Sequence, residues 1–188
     1  MSGGWEVLRR RKLLDRSPWV RVFVEAVRLE DGRTVIDDFY MVETLPFVVI
    51  FALTPQRTVP MIEQYRHALK RAVRELPAGI IDSGEAPLDC ARRELLEETG
   101  LEAGRWESLG DFVVDPNRGQ GSAHLYLALD TAPAASPHPG DLQRQTLHFL
   151  TLDQLRDHWL SDDCATLASA TAIGLGFAHL ERLSIDRL

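Results

Sequence analysis

Seven consecutive apolar residues, Phe47-Val48-Val49-Ile50-Phe51-Ala52-Leu53, follow directly on Pro46. The run is short, rich in β-branched and aromatic side chains, and offers no polar residue to face water. It reads as a strand buried on both faces, the kind found in the interior of a sheet covered on each side. The chain of 188 residues, 45% hydrophobic and 26% charged, has material enough for one domain with such a core and an appendage.

The flanking segments supply the other elements. Residues 19–26 alternate, with Val20, Val22, Val24 and Ala26 on one side and Arg21 and Glu25 on the other, which is the period of a strand. Asp31-Gly32 then gives a hairpin turn, and residues 34–43 return as its partner. A further strand is expected over 59–65, with Pro60 placing its start at an edge or a bulge. Residues 75–85 hold a proline and two glycines and read as a loop with short extended pieces.

Pro87 suits the first turn of a helix, because its missing N–H has no partner to lose there. Leu88, Ala91 and Leu95 form the inward stripe of that helix, and Gly100 ends it in a left-handed conformation. Strands follow at 106–114 and 124–130 around a loop at 115–122. An irregular loop at 131–140, a short strand at 147–150 and helices at about 151–159 and 164–182 complete the reading.

The formal charge of −7 argues against a broad grip on nucleic acid, which needs a basic face. Cys90 and Cys164 form no CxxC pair and lack histidines at zinc-ligand spacing, so both read as reduced, half-buried structural residues. Residues 1–16 are broken by Glu6 and the basic run at 9–12 and lack the apolar stretch of a signal peptide. No segment has the roughly 18 uninterrupted apolar residues of a membrane span. The cytoplasm is the expected compartment, with no membrane partner.

The chemistry is concentrated in residues 79–101, GIIDSGEAPLDCARRELLEETGL. Glu94, Glu97 and Glu98 stand at i, i+3 and i+4 and share one helix face. Like charges at this spacing repel by a few tenths of a kcal/mol per pair, and acidic groups near a helix C-terminus face the negative end of the dipole, so roughly 1 kcal/mol is at stake. Divalent cations remove both costs, and hard carboxylate oxygens suit Mg²⁺ or Mn²⁺.

The spacing of Gly79, Glu85, Arg93, Glu94, Leu95, Glu97, Glu98, Gly100 and Leu101 matches the Nudix box without departure. A chance match in a chain this long has a probability on the order of 10⁻⁷. The chain therefore resembles the Nudix hydrolases. That resemblance, with the order of strands and helices, implies an α/β (α+β) Nudix fold. The expected form is an α/β/α sandwich with a mixed sheet and an additional N-terminal antiparallel sheet.

It also implies Mg²⁺-dependent cleavage of the pyrophosphate bond in a nucleoside diphosphate linked to another group. By the same resemblance Glu94 and Glu98 are direct metal ligands, Glu97 is a third ligand or a base, and Arg93 orients the glutamates by ion pairing. Glu85 supports the ligands or adds to them, and the backbone carbonyl of Ala78 is a further ligand.

Outside the box, Glu63-Gln64-Tyr65-Arg66 followed by Glu75-Leu76-Pro77-Ala78-Gly79 is similar to the ADP-ribose and nucleotide-sugar pyrophosphatase branch. There the arginine contacts a substrate phosphate, which makes Arg66 the candidate here, against the usual reading of an isolated arginine as surface charge. Pro116 lies where ADP-ribose hydrolases carry a proline; as a lone loop proline it is equally a turn residue.

Extra strands in residues 1–45 lie ahead of a Nudix domain at 46–188; in similar enzymes such strands form a dimer and lend aromatics to the base pocket, so the resemblance implies a homodimer. Trp19, Phe39 and Tyr40 are candidates to stack on a base, although aromatics on such strands are more often core or interface. One departure stands out: similar enzymes carry a glutamate in the loop before the last strand, and this chain reads Gly140-Asp141-Leu142-Gln143-Arg144-Gln145 there. Either Asp141 substitutes as base, or Glu97 or another carboxylate acts, or the substrate differs. The competing functions are a nucleotide-sensing module that does not hydrolyse and a housecleaning hydrolase of other nucleotides.

Overall fold

The structure is a computed structural model that describes residues 4–138 and 145–183. The chain divides into two compact units, Met1–Pro46 with Phe112–Ser122, and Phe47–Asp111 with Ala123–Leu188.

In the first unit β1 (Glu6–Arg16), β2 (Val20–Arg28) and β3 (Val35–Thr44) form an antiparallel sheet in the order β1-β2-β3. The hairpin at Asp31-Gly32 is present, with Gly32 at φ 69° and the Asp31 carboxylate accepting from the Arg33 and Thr34 amides. Those hydrogen bonds hold the Asp31 carboxyl below its ordinary range, the Thr34 hydroxyl contributing most.

β1 lies outside the sequence expectation. It pairs along β2, with Arg10 bound to Glu25 and Glu43 and stacked 3.8 Å from the Phe23 ring centre. The alternation expected of β2 breaks at its far end, where Glu25, Ala26 and Val27 are all buried. A register shift against β3 between Glu25 and Val27 resets the period there.

In the second unit β4 (Phe47–Ala52) is the strand buried on both faces. It lies inside the sheet β7-β4-β9-β8, parallel to β9 (Gln120–Pro133) and antiparallel to β7 (Ala78–Ile80), so the sheet is mixed. Val49, Phe51 and Leu53 point into one core with Leu125, Leu127 and Leu129 and with α2 (Leu152–Trp159) and α3 (Leu167–Arg182). Val48, Ile50 and Ala52 point into a second core with Cys90, Ala91 and Leu95 of α1 (Pro87–Thr99). One strand thus separates two apolar cores, each closed by helices, which is the expected α/β/α layering.

The remaining sheet has the order β10-β5-β6, built from β5 (Thr58–Arg66), β6 (Arg71–Glu75) and β10 (Thr146–Thr151). Pro60 lies opposite Phe149 of β10, while pairing with β6 begins only at Ile62. The proline therefore sits where the strand has one neighbour, close to the edge position expected of it. β6 is an addition to the sequence reading. β8 (Leu101–Asp115) and β9 are longer than the strands expected at 106–114 and 124–130.

α1 begins with Pro87 in its first turn and ends at Gly100, whose φ of 72° and N–H to the Leu96 carbonyl form the left-handed cap. The inward stripe is rotated from the expected one. Leu88 is only half-buried, whereas Cys90, Ala91, Leu95 and Glu98 face inward. Cys90 is fully buried, deeper than expected, and burial pushes its thiol up to about 12; Cys164 is half-buried. No described helix is long and apolar enough to cross a membrane.

Candidate functional site

The register of β7 on β4 places the backbone of residues 78–80 alongside α1. Val49 faces Ala78, Val48 faces Gly79, and the Ile50 amide donates to the Pro77 carbonyl at 2.9 Å. The Ala78 N–H is left to donate to Glu98 Oε2 at 3.0 Å, and the Ile80 carbonyl accepts from Arg93 at 3.2 Å. Gly79 faces Glu94: a Cβ there would lie 1.9 Å from the Glu94 carboxyl carbon. The glycine of the box is thus a matter of space, since a side chain at 79 would displace the Glu94 carboxylate from its place.

Arg93 organises one end of the motif. Its Nε and Nη2 hold the two oxygens of Glu85 at 2.9 and 3.0 Å, a bidentate pair. Its Nη1 donates to Glu94 at 2.6 Å and to Glu97 at 3.3 Å. The Arg93 guanidinium and the Asp82 amide bring the Glu85 carboxyl down to about 2, and Glu85, followed by Glu94, raises Arg93 above its ordinary value. Arg93 thus pairs with three glutamates of the motif, and Glu85 has both oxygens engaged as its counter-ion.

At the other end, among the described residues, no cation pairs directly with Glu98, and Arg66 acts on it only through its charge. Glu98 is only 8% exposed, and burial pushes its carboxyl up to about 7, against the opposing effect of the Ala78 N–H. The negative charge of Glu94 adds to the rise. Glu94 is itself raised, chiefly by burial, despite the Arg93 contact. Glu97 is the exposed member, with about half its side chain in solvent. The last turn of α1 carries no basic residue to offset this charge at the negative end of the helix.

Among the described residues no three acidic, histidine or cysteine side chains close on one point. Even so, the donor set fits a hard divalent cation: Glu94 and Glu98 offer carboxylate oxygens whose burial makes both resist ionising, Glu94 even beside Arg93. Gly79 keeps the space before Glu94 clear of a side chain.

Residues 44–167 match the NUDIX domain. The chain belongs to the Nudix family. Among relatives of this Nudix protein, an ADP-ribose pyrophosphatase of Mycobacterium tuberculosis is 38% identical over 114 residues, 60% of this chain and 54% of the relative. A methanol dehydrogenase activator of Bacillus methanolicus is 37% identical over 109 residues, 58% of each chain. The matches span little more than half the length of these relatives. A crystal structure of an ADP compounds hydrolase superposes with a TM-score of 0.80 over 95% of both chains at 18% identity, which establishes the Nudix fold.

The Nudix motif residues Ala78, Glu85, Arg93, Glu94, Glu97 and Glu98 meet in the second unit. Arg66 is near enough for its charge to lower Glu98, and its Nε binds Glu75. Pro116 belongs to the first unit, exposed in the turn between β8 and β9. Trp19, Phe39 and Tyr40 lie in that unit too, Trp19 and Tyr40 exposed and Phe39 edge-on to Trp5. Asp141 lies outside the described residues.

Three residues that the sequence left without a role stand at the site: Gln64, Glu75 and Gln145. The amide of Gln145 reaches Glu98 at 3.5 Å and Gln64 at 3.4 Å, and Gln64 reaches Glu75. Sequence reading meets Gln145 only as the absence of a glutamate, because its contacts cross 47 and 81 positions of chain.

Proposed function

We propose that this chain is a Mg²⁺-dependent hydrolase, with Mn²⁺ as an alternative metal, that cuts the pyrophosphate bond of ADP-ribose or a related nucleotide sugar. The products are a nucleoside monophosphate and a sugar phosphate. One observation carries the reading: Glu98 is buried within a complete Nudix motif and, among the described residues, is held by the neutral donors of Ala78 and Gln145.

Glu94 and Glu98 hold the cation, with Glu97 and the Ala78 carbonyl as further ligands. When bound, the cation supplies Lewis acidity toward a phosphoryl oxygen and makes a bound water more acidic. Arg93 keeps Glu94 and Glu97 turned to one side by taking its own balance of charge from Glu85. Arg66, paired with Glu75, is the candidate to bind a phosphate oxygen by exchanging part of that contact. The proton of the attacking water goes to a carboxylate, with Asp141 and Glu97 the candidates.

Likeness to two proteins whose names carry ADP-ribose or ADP compounds supports the substrate class. The apolar side chains that β1 leaves in solvent, Val7, Leu8, Leu13 and Leu14, support a homodimer through the N-terminal strands, with residues 1–45 as its appendage. The acidic balance of charge supports an enzyme that binds no nucleic acid, and the cytoplasm is its expected compartment.

Purified protein assayed with Mg²⁺ on ADP-ribose, NADH, GDP-mannose and diadenosine polyphosphates is expected to cleave ADP-ribose or another nucleotide sugar fastest. Failure to cleave any of them faster than a Glu98→Gln variant removes the proposal. The likeness to the methanol dehydrogenase activator favours a second reading, a nucleotide-binding regulator of another enzyme. Tight ADP-ribose binding without turnover would select it.

A further inference from the structure

Gln145 stands just before β10, and its single amide serves two acceptors. Nε2 donates to Glu98 Oε1 at 3.5 Å and to Gln64 Oε1 at 3.4 Å, both at the long end of hydrogen bonding, as expected of one group shared between two sites. The Gln64 amide donates in turn to Glu75 Oε2 at 3.4 Å, the same oxygen that Arg66 Nε binds. A continuous polar chain therefore runs Arg66, Glu75, Gln64, Gln145, Glu98, and ends where the Ala78 N–H takes the other oxygen of Glu98. Gln64, Glu75 and Glu98 are all at least nine-tenths buried.

Two features set Gln145 apart from an ordinary structural amide. Its Oε1 is closed off from solvent and, among the described residues, meets no donor. Buried acceptors are nearly always satisfied, so this one calls for a donor that the described chain does not supply. Its chemistry also excludes proton transfer: an amide gives Glu98 a neutral donor, where a carboxylate at 145 would set like charge against it.

We propose that Gln145 is a positioning residue of the hydrolytic site. Nε2 holds Glu98 in the orientation that ligates the cation, and Oε1 accepts a hydrogen bond from an O–H that arrives with substrate, either the attacking water or a sugar hydroxyl. The proposal rests on the reading of Glu98 as a cation ligand. It assigns a use to the residue that stands where a base is missing, and it ties the phosphate-binding candidate Arg66 to the metal ligand through buried side chains.

The test uses the full chain with Gln145→Met, which keeps length and removes both donor and acceptor, and Gln64→Met beside it. Mn²⁺ affinity is read by calorimetry without substrate, together with Tm and with kcat and KM for ADP-ribose. Gln145→Met is expected to weaken Mn²⁺ binding and turnover by about tenfold each at a near-normal Tm. The double variant should be no worse than Gln145→Met alone, because the two residues act in one chain of contacts.

A loss confined to kcat assigns the O–H to the attacking water, and an added rise in KM assigns it to the substrate. Should Gln145→Met not fold, Gln145→Glu carries the same expectation, and a kcat at or above wild type in that variant overturns the proposal. Unchanged Mn²⁺ affinity in Gln145→Met, with or without a lower Tm, also overturns it. If the wild type binds no Mn²⁺ and cleaves nothing, the reading of the whole site falls, whereas an active wild type matched by Gln145→Met sinks this inference alone.

Discussion

Glu85 and Glu98 belong to the same motif, yet their surroundings act on them in opposite directions. Glu85 has a guanidinium across both oxygens and is held ionised down to about 2; Glu98 has, among the described residues, neutral donors alone and, buried, resists ionising up to about 7. The first end of the motif is neutralised within the chain and is finished when the protein folds. The second is, among the described residues, left without a paired cation. On the proposed function, folding completes the first end and ligand binding the second.

The largest effect should come from removing the uncompensated end. Glu98→Gln is expected to lower hydrolysis by about 10³-fold, the equivalent of several kcal/mol of metal-ion catalysis. The same variant should be more stable than wild type in chelator at pH 8, by roughly 2–3 kcal/mol, since it has no charge to bury. The sign follows from linkage. Glu98 in the folded state keeps its proton to a higher pH than in the unfolded state, so its contribution is favourable at low pH and is lost as pH rises from about 4.5 to about 7.

Glu85 works the other way, stabilising above about 4.5 and losing that contribution as pH falls toward 2. Thermal melts of the metal-free protein between pH 3 and 8 should show the descending arm, and Glu98→Gln should flatten it. A descending arm of equal size in the variant would break the contrast.

Removing the compensated end should do less to turnover and more to structure. Arg93→Met leaves Glu85, Glu94 and Glu97 facing one another, and is expected to cost about 1–3 kcal/mol of stability. Activity should fall about 10–100-fold through misaligned ligands, with more metal needed for half-maximal rate. Denaturation curves and metal titrations measure both. An Arg93→Met protein that is as stable as wild type would show that the first end is not closed by this arginine.

Gly79→Ala should separate the two effects more finely. The clash falls on the Glu94 carboxylate, the far end of a flexible side chain, so the backbone need not move. Stability should drop by only about 1 kcal/mol, while Mn²⁺ affinity should fall about tenfold as Glu94 is turned aside. Calorimetry showing normal affinity would mean that Glu94 does not need its place against Gly79.

The sequence disclosed the local half of this arrangement. The i, i+3, i+4 spacing of Glu94, Glu97 and Glu98, Pro87 at the helix start and Gly100 at its end are consequences of neighbouring residues, and the run at 47–53 announces its two-sided burial without reference to anything distant. β1 was illegible for a physical reason. Its apolar residues come in the doublets Val7-Leu8 and Leu13-Leu14, and register shifts fall at those places, so no period of two survives in the sequence. The strand is exposed along nearly its whole length, and burial imposes no pattern on it. Glu75, Gln64 and Gln145 were illegible because their meaning is tertiary: polar residues from separate segments acquire a role only when β5, β6 and the approach to β10 bring them to Glu98.

The smallest effect is the sharpest control. Arg92 precedes Arg93 on the same helix and also pairs with a carboxylate, Asp89, at 3.1 Å, but both side chains are more than half exposed. Solvent screens such a pair and ordering two long side chains offsets its attraction, so Arg92→Ala is expected to cost less than about 0.5 kcal/mol and to leave turnover within about twofold. Two adjacent arginines, each in an ion pair, should therefore differ by an order of magnitude or more in what their loss does to hydrolysis. If Arg92→Ala proves as damaging as Arg93→Met, charge in the vicinity of the helix matters and the particular geometry around Glu85 and Glu94 does not; an unaltered enzyme locates the effect in the contacts of the Arg93 guanidinium.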